Sequence, residues 1–335
     1  MKAAVYREKR LVVETVPDPQ PAADEIVIRV SHCAICGSDL HRYAHAMMSP
    51  GTIMGHEYAG VVVEVGTDVR TWKEGDRVTR SGGPATPGRD LPSFPPRFSA
   101  RERGFLAQRP GAYAEYLLVP ADKVMAVPWD LPDLEASLVE PLTVAVHMAR
   151  ASKLRLGDTA VVLGAGPIGL FALQCAFLAG ASRVWVSEVN AARRAVAAAL
   201  GATETFDPVC VPLVREIVRR TEVGADVAFE CAGARPTLQQ ALELVKWGGQ
   251  VMVVSLAWEP VDCLPVEWVG REVEMKACYA HLNSEWGMAL SLLAQGRVRT
   301  RPMISRVIGL DDIDATFREL LSPETDLIQV IVKCS

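Results

Sequence analysis

Apolar and polar positions alternate at the start of the chain. Lys2 to Tyr6, Leu11 to Thr15 and Glu25-Ile26-Val27-Ile28-Arg29-Val30 read as strands, with Pro17, Pro19 and Pro21 punctuating the link before the third. Tyr58 to Val65 is a Val-rich run closed by Gly66-Thr67-Asp68, and Lys73-Glu74-Gly75-Asp76-Arg77-Val78 reads as a turn feeding a strand. Residues 1 to 30 are thus an all-β opening, followed by the Cys36 to His41 segment and a loop through Pro50-Gly51 before the later strands. From Ser81 to Pro110 the composition shifts to Gly, Pro and Arg, and Pro84, Pro87, Pro92, Pro95 and Pro96 predict a surface lobe without regular structure. Strand character returns in Ala112 to Val119, and Pro132 to Ala151 reads as one helical stretch with Glu140-Pro141 near its start.

From Thr159 the pattern changes to strand and helix in alternation: Thr159 to Leu163, Ile168 to Leu178, Arg183 to Val186, Ala191 to Leu200, Ala225 to Phe229, Leu238 to Val245 and Gln250 to Val254. Such a rhythm predicts a parallel sheet covered by helices. The tail adds a helix at Glu285 to Gln295 and a final strand at Leu327 to Val332. Ala160 to Ala181 carries no charge and is long enough to span a bilayer. Gly164, Gly166, Pro167 and Gly169 break it, however, into a buried strand, a tight turn and a buried helix.

Length and charge narrow the class. The 335 residues are comfortable as two domains with their own cores, and a formal net charge of -5 with 22% charged residues offers no electrostatic footprint for nucleic acid or an anionic membrane. The eight cysteines lie mostly inside apolar runs, without the dense spacing of a secreted disulfide framework, which points to a reducing cytoplasm. The first residues meet charge before any apolar run forms, so no signal peptide is read there.

Two stretches carry chemistry. Val161-Val162-Leu163-Gly164-Ala165-Gly166-Pro167-Ile168-Gly169 is a dinucleotide fingerprint placed directly after a strand and opening a helix. Its glycines permit a tight turn, close approach of backbone to a pyrophosphate and close helix packing, and the helix N-terminus presents free N–H groups to phosphate. Arg183 to Val186 leads to Glu188, near the ~20-residue offset of a ribose-binding acid. An acid there accepts from both ribose hydroxyls and repels a 2'-phosphate, which favours NAD over NADP; Arg193 pulls slightly the other way.

The other stretch is Cys36-Gly37-Ser38-Asp39-Leu40-His41, answered by Gly55-His56-Glu57. Cys, His and Glu are all zinc ligand types, and coordination to a dication gives Cys36 a reason to be a thiolate. Glu140, far off in sequence, is a further candidate oxygen. Cys33 and Cys36 could instead form a redox pair, but that reading expects a helix start in a βαβ context. His45 reads as a loop histidine, His147 as a core residue, and Asp39 as either a turn residue or a partner that holds a ligand.

The chain resembles the zinc-dependent medium-chain dehydrogenase/reductase superfamily, the alcohol, sorbitol and threonine dehydrogenases, over nearly its whole length. The resemblance is carried by the two stretches above, by Tyr58-Ala59-Gly60, Val65-Gly66, Gly75-Asp76-Arg77-Val78, Gly111-Ala112-Tyr113-Ala114-Glu115-Tyr116 and Glu140-Pro141-Leu142. It implies an α/β fold: a GroES-like β-barrel catalytic domain from 1–143 and 282–335, with a doubly wound Rossmann domain, 144–281, inserted between. It implies Cys36 and His56 as zinc ligands, Glu57 or Glu140 as the third, Ser38 as the group that takes the alcohol proton, and His41 as the outer end of a proton relay. The lobe lacks the four cysteines that most zinc members use for a structural zinc, so one catalytic ion is expected.

The activity so implied is NAD-dependent oxidation of a secondary alcohol or polyol to the ketone by hydride transfer, in a cytoplasmic homodimer or homotetramer. A threonine-type amino-alcohol dehydrogenase is the alternative, since Leu40-His41-Arg42-Tyr43 also resembles that branch. An NAD-binding protein with a structural or vestigial zinc site is a third reading, against which Ser38 and His41 speak. Tyr43, His45, Met47, Met48, Phe94, Tyr279, His281 and Trp286 are candidates for the substrate pocket.

Overall fold

The computed structural model of the chain describes residues 1–82, 111–257 and 259–335, so the proline-rich lobe and Phe94 lie almost wholly outside the described residues. Two compact units divide it. One is Met1–Glu140 together with Leu282–Ser335, and the other is Pro141–His281.

The first unit is built on the strand Glu25–Ala34, which pairs antiparallel with Glu57–Val65, Tyr116–Pro120 and Gln329–Lys333. Sheet order runs Ile304–Gly309, Gln329–Lys333, Glu25–Ala34, Glu57–Val65, Arg77–Arg80 and Val124–Ala126. Ile26, Ile28 and Val30 alternate inward with Tyr58, Val62, Val78, Leu117, Val330 and Val332 to form the core. Each such side chain removed from water contributes about 1.5–3 kcal/mol. The register sets Cys33 opposite Tyr58 and Ala34 opposite Glu57, so the chain leaves one strand toward Cys36 where it enters the next at Glu57.

The second unit holds a six-stranded parallel sheet in the order Glu204–Phe206, Arg183–Ser187, Thr159–Leu163, Ala225–Glu230, Val245–Val253 and Glu274–Ala277. The first crossover, the helix Pro167–Leu178, is buried over most of its length, which is why its sequence is apolar all round. This is the doubly wound parallel arrangement expected from the strand and helix rhythm. No helix among the described residues is long and apolar enough to cross a membrane.

Three segments differ from the expectation. Residues 37–44 form a helix, Gly37–Ala44, in a stretch after the β opening for which the sequence predicts no helix. Only Asp39 and Tyr43 of it are buried, so no apolar stripe announces it, and its N-cap is the Cys36 thiol rather than a Ser, Thr, Asp or Asn. Pro132 to Ala151 is two helices, Asp133–Ala136 and Val139–Ala151. The second tolerates Pro141 because a first-turn N–H has no helical acceptor to lose. Finally, Ala112 to Glu115 bridges other segments singly, through Ala3 and Ala114, and the strand begins only at Tyr116.

Candidate functional site

Cys36 ends the turn after strand Glu25–Ala34, and its sulfur accepts from the Ser38 N–H at 3.4 Å and from the Ser38 hydroxyl at 3.2 Å. His56 and Glu57 arrive from the facing strand through Gly55, whose φ of +95° favours glycine. A Cβ on Gly55 would press to 2.9 Å on the Cys33 sulfur and on the Tyr113 backbone. That close approach brings the ligand atoms of Cys36, His56 and Glu57 within 4.8 Å of one another. Arg80 holds the backbone there by donating to the His56 carbonyl at 3.0 Å.

Asp39, fully buried on the helix Gly37–Ala44, faces this cluster from the side. Its Oδ2 lies 3.5 Å from His56 Nδ1 and accepts from the Tyr113 hydroxyl at 2.8 Å. With Nδ1 turned to a carboxylate, Nε2 is the nitrogen left for a metal. Asp39 therefore is no turn residue. Tyr113 is the functional neighbour that sequence reading did not single out, because the contact spans 74 positions and nothing local marks it.

The electrostatics of the cluster are those of a site with too much negative charge for its burial. Burial pushes the Cys36 thiol up to about 11, with the Glu57 charge adding to the effect. Burial first, and then the Glu140 charge, raises Glu57 to about 8. Burial opposes the His56 cation, yet Asp39 and Cys36 outweigh it and hold the imidazole well above its usual range. Among the described residues, Glu57 Oε2 and Asp39 Oδ1 are buried without a hydrogen-bond partner. A thiol, an imidazole and a carboxylate with an orphaned oxygen are a donor set that fits a zinc ion and lacks only its positive charge. Glu140, in the first turn of Val139–Ala151, makes its charge felt at Glu57 but is not among the three clustered donors.

Ser38 and His41 lie three positions apart on one helix and so share a face. The His41 ring is stacked on that of His45, with centroids 6.4 Å apart, and burial, then the His45 charge, lowers its pKa. Cys33 is an interior thiol whose pKa burial pushes far up, and both Cys33 and Cys36 are free. Tyr43 belongs to the core of the first unit. It falls on the buried face with Asp39, stacks edge-on to Phe317 at 5.4 Å and donates to Asp314 at 2.9 Å. Met48, His281 and Trp286 are buried, Met47 is half-buried, and His45 and Tyr279 are exposed.

The glycine turn of the second unit shows two backbone demands and one open position. Gly164 has φ +93°, and a Cβ there would meet Ala232 at 3.1 Å. A Cβ on Gly169 would stand 1.9 Å from the Gly164 carbonyl, whereas one on Gly166 would meet nothing within 4 Å. Gly166 is thus the open position at the helix N-cap, where a phosphate can approach, and Pro167 and Ile168 start the helix. Glu188 accepts from the Ala165 N–H at 2.7 Å and the Asn190 N–H at 2.9 Å, which fixes a carboxylate beside the turn. Arg193 sits in the first turn of the next helix, its N–H on the Asn190 side chain.

Comparison with known proteins decides the family. Residues 22–129 match the alcohol dehydrogenase GroES-like domain, and residues 167–295 match the zinc-binding dehydrogenase family. The chain is 32% identical to (R,R)-butanediol dehydrogenase of Bacillus subtilis (strain 168), over 99% of each chain. It belongs to the zinc-type medium-chain dehydrogenases. Sorbitol dehydrogenase of the same organism is also 32% identical, over 99% of this chain and 97% of that one. A Sinorhizobium meliloti 1021 protein solved bound to NADP superposes with a TM-score of 0.87 at 32% identity, covering 99% of this chain and 98% of its own. As a member of this family the chain is an oxidoreductase that acts on alcohols, with a GroES-like domain and a Rossmann-like sheet.

Proposed function

We propose that the chain is a zinc- and NAD-dependent dehydrogenase that oxidises a secondary alcohol or polyol to the ketone. The observation that carries the reading is the convergence of Cys36, His56 and Glu57 within 4.8 Å, with a buried Glu57 oxygen that has no hydrogen-bond partner among the described residues. Cys36, His56 and Glu57 would hold the ion, with Glu140 close enough to tune Glu57. When bound, zinc supplies Lewis acidity toward a substrate hydroxyl.

The chain's own residues do the rest. The Ser38 hydroxyl, beside the Cys36 sulfur, takes the proton that leaves the alcohol, and His41, one turn on, is the outer acceptor. The open backbone at Gly166 and the helix start at Pro167 receive the pyrophosphate. Glu188 takes the ribose hydroxyls, and its anchored charge disfavours a 2'-phosphate, which supports NAD over NADP. The lobe lacks cysteine, so a single zinc per chain is proposed.

Reduced-cofactor formation measured for polyols, secondary alcohols, sugars and threonine, each with NAD and with NADP, tests the reading. A secondary alcohol or polyol used with NAD supports it. Turnover confined to threonine, or to NADP, contradicts the corresponding part.

A further inference from the structure

Asp39 is fully buried, and among the described residues its Oδ2 meets two groups, the Tyr113 hydroxyl at 2.8 Å and His56 Nδ1 at 3.5 Å, while Oδ1 meets none. The shorter of the two contacts is the one to tyrosine. A carboxylate held on one oxygen by a single fixed donor has its rotation set by that donor, and a histidine facing the same oxygen takes its ring orientation from it. Tyr113 is itself held by its packing, and its hydroxyl lies closer to Asp39 than to the Ala34 carbonyl, 3.3 Å away. It is fully buried, edge-on to Phe317 at 5.9 Å and 89°, and its backbone N–H donates to the Met54 carbonyl, directly before Gly55-His56. The tyrosine thus touches the His56 strand entry through its backbone and the Asp39 helix through its hydroxyl.

We propose that Tyr113 is a positioning residue of the metal site, its hydroxyl holding the Asp39 carboxylate against His56 Nδ1 so that Nε2 is presented beside Cys36 and Glu57. The inference rests on the reading of Cys36, His56 and Glu57 as metal ligands. Phenylalanine at this position keeps the ring and its contact with Phe317 and removes the hydroxyl alone.

The test is zinc affinity of the full chain, measured by competition against a chromogenic chelator, with thermal unfolding of the metal-free protein alongside. Tyr113→Phe is expected to bind zinc about 10-fold or more weaker, at the low end of the ~10–100-fold seen on loss of such supporting hydrogen bonds. Asp39→Asn should weaken binding at least as much, and the double variant no more than Asp39→Asn alone, because the hydroxyl acts through the carboxylate. Phe317→Leu, which loosens the ring packing and leaves the hydroxyl, should lower the metal-free unfolding temperature without changing zinc affinity. Unchanged affinity in Tyr113→Phe, an additive double variant, or equal weakening in Phe317→Leu overturns the role of Tyr113. A wild type that binds no zinc, or a Cys36→Ala variant that binds as well as wild type, overturns the ligand assignment itself and the inference with it.

Discussion

Glu57 and Glu230 are both buried carboxylates, 1% and 2% exposed, one in each unit of the chain. Glu230 is saturated. One oxygen accepts from the Ala232 N–H at 3.0 Å, the Gly233 N–H at 2.9 Å and the Thr237 hydroxyl at 2.8 Å, and the other from the Ser255 hydroxyl. Glu57 sits among a thiol, an imidazole and the Glu140 charge, with an oxygen that meets no donor among the described residues. Leaving a buried polar group unsatisfied costs about 1–3 kcal/mol, more when it is charged. The second unit therefore uses Glu230 to fix backbone turns, while the first keeps an acid at a cost that the proposed zinc ion would offset. Stability is invested in one place and function in the other.

The largest effect that sharpens this contrast is kinetic. Ser38→Ala removes the hydroxyl beside the Cys36 sulfur and leaves all three ligands, so kcat should fall by roughly 10²–10⁴, the usual contribution of a placed proton acceptor, with zinc retained. Steady-state rates with zinc analysis of the same sample check it. Next comes stability. Glu230→Gln sets an amide where backbone and hydroxyl donors converge and should destabilise the metal-free protein by about 1–3 kcal/mol in urea unfolding. Glu57→Gln alters an acid with one oxygen that has no hydrogen-bond partner among the described residues, and should shift metal-free stability by less than about 1 kcal/mol. Equal losses in the two variants would erase the contrast.

The smallest effect concerns pH. At Asp226 burial acts to raise the pKa, but Lys246 and the two Thr159 hydrogen bonds outweigh it and hold the carboxyl below its ordinary value. A lowered folded value contributes stability above the unfolded pKa, about 3.9, that is lost as pH falls from there through the folded value. Asp226→Asn should flatten the acid loss measured by urea unfolding at successive pH values, by less than about 1 kcal/mol for so partly exposed a pair.

The Rossmann strands are legible because Val161, Val162 and Leu163 are buried on both faces and read as a continuous apolar run bounded by glycine. Gly164 and Gly169 are legible because each answers a local backbone demand, a positive φ in one and a close carbonyl in the other, while Gly166 is legible only from the spacing of the fingerprint. Helix Leu213–Thr221 carries the ordinary signal of buried Leu213 and Ile217 one turn apart with exposed Arg215 and Arg219 off that face, and is legible in the sequence. Helix Gly37–Ala44 could not, since a thiol caps it and a carboxylate and a tyrosine make up its buried face. The donors Cys36, His56 and Glu57 are recognisable by residue type and motif, but their meeting depends on the register between Glu25–Ala34 and Glu57–Val65. The Asp39 to Tyr113 contact depends on tertiary structure alone.

Zinc bound per chain, measured by elemental analysis after loading and exhaustive dialysis of wild type and Cys36→Ala, tests the central claim most directly. The account predicts one zinc per wild-type chain and loss of that ion in Cys36→Ala, together with alcohol oxidation. A wild type that oxidises alcohols without zinc, or a Cys36→Ala variant that keeps its ion and its turnover, would contradict it.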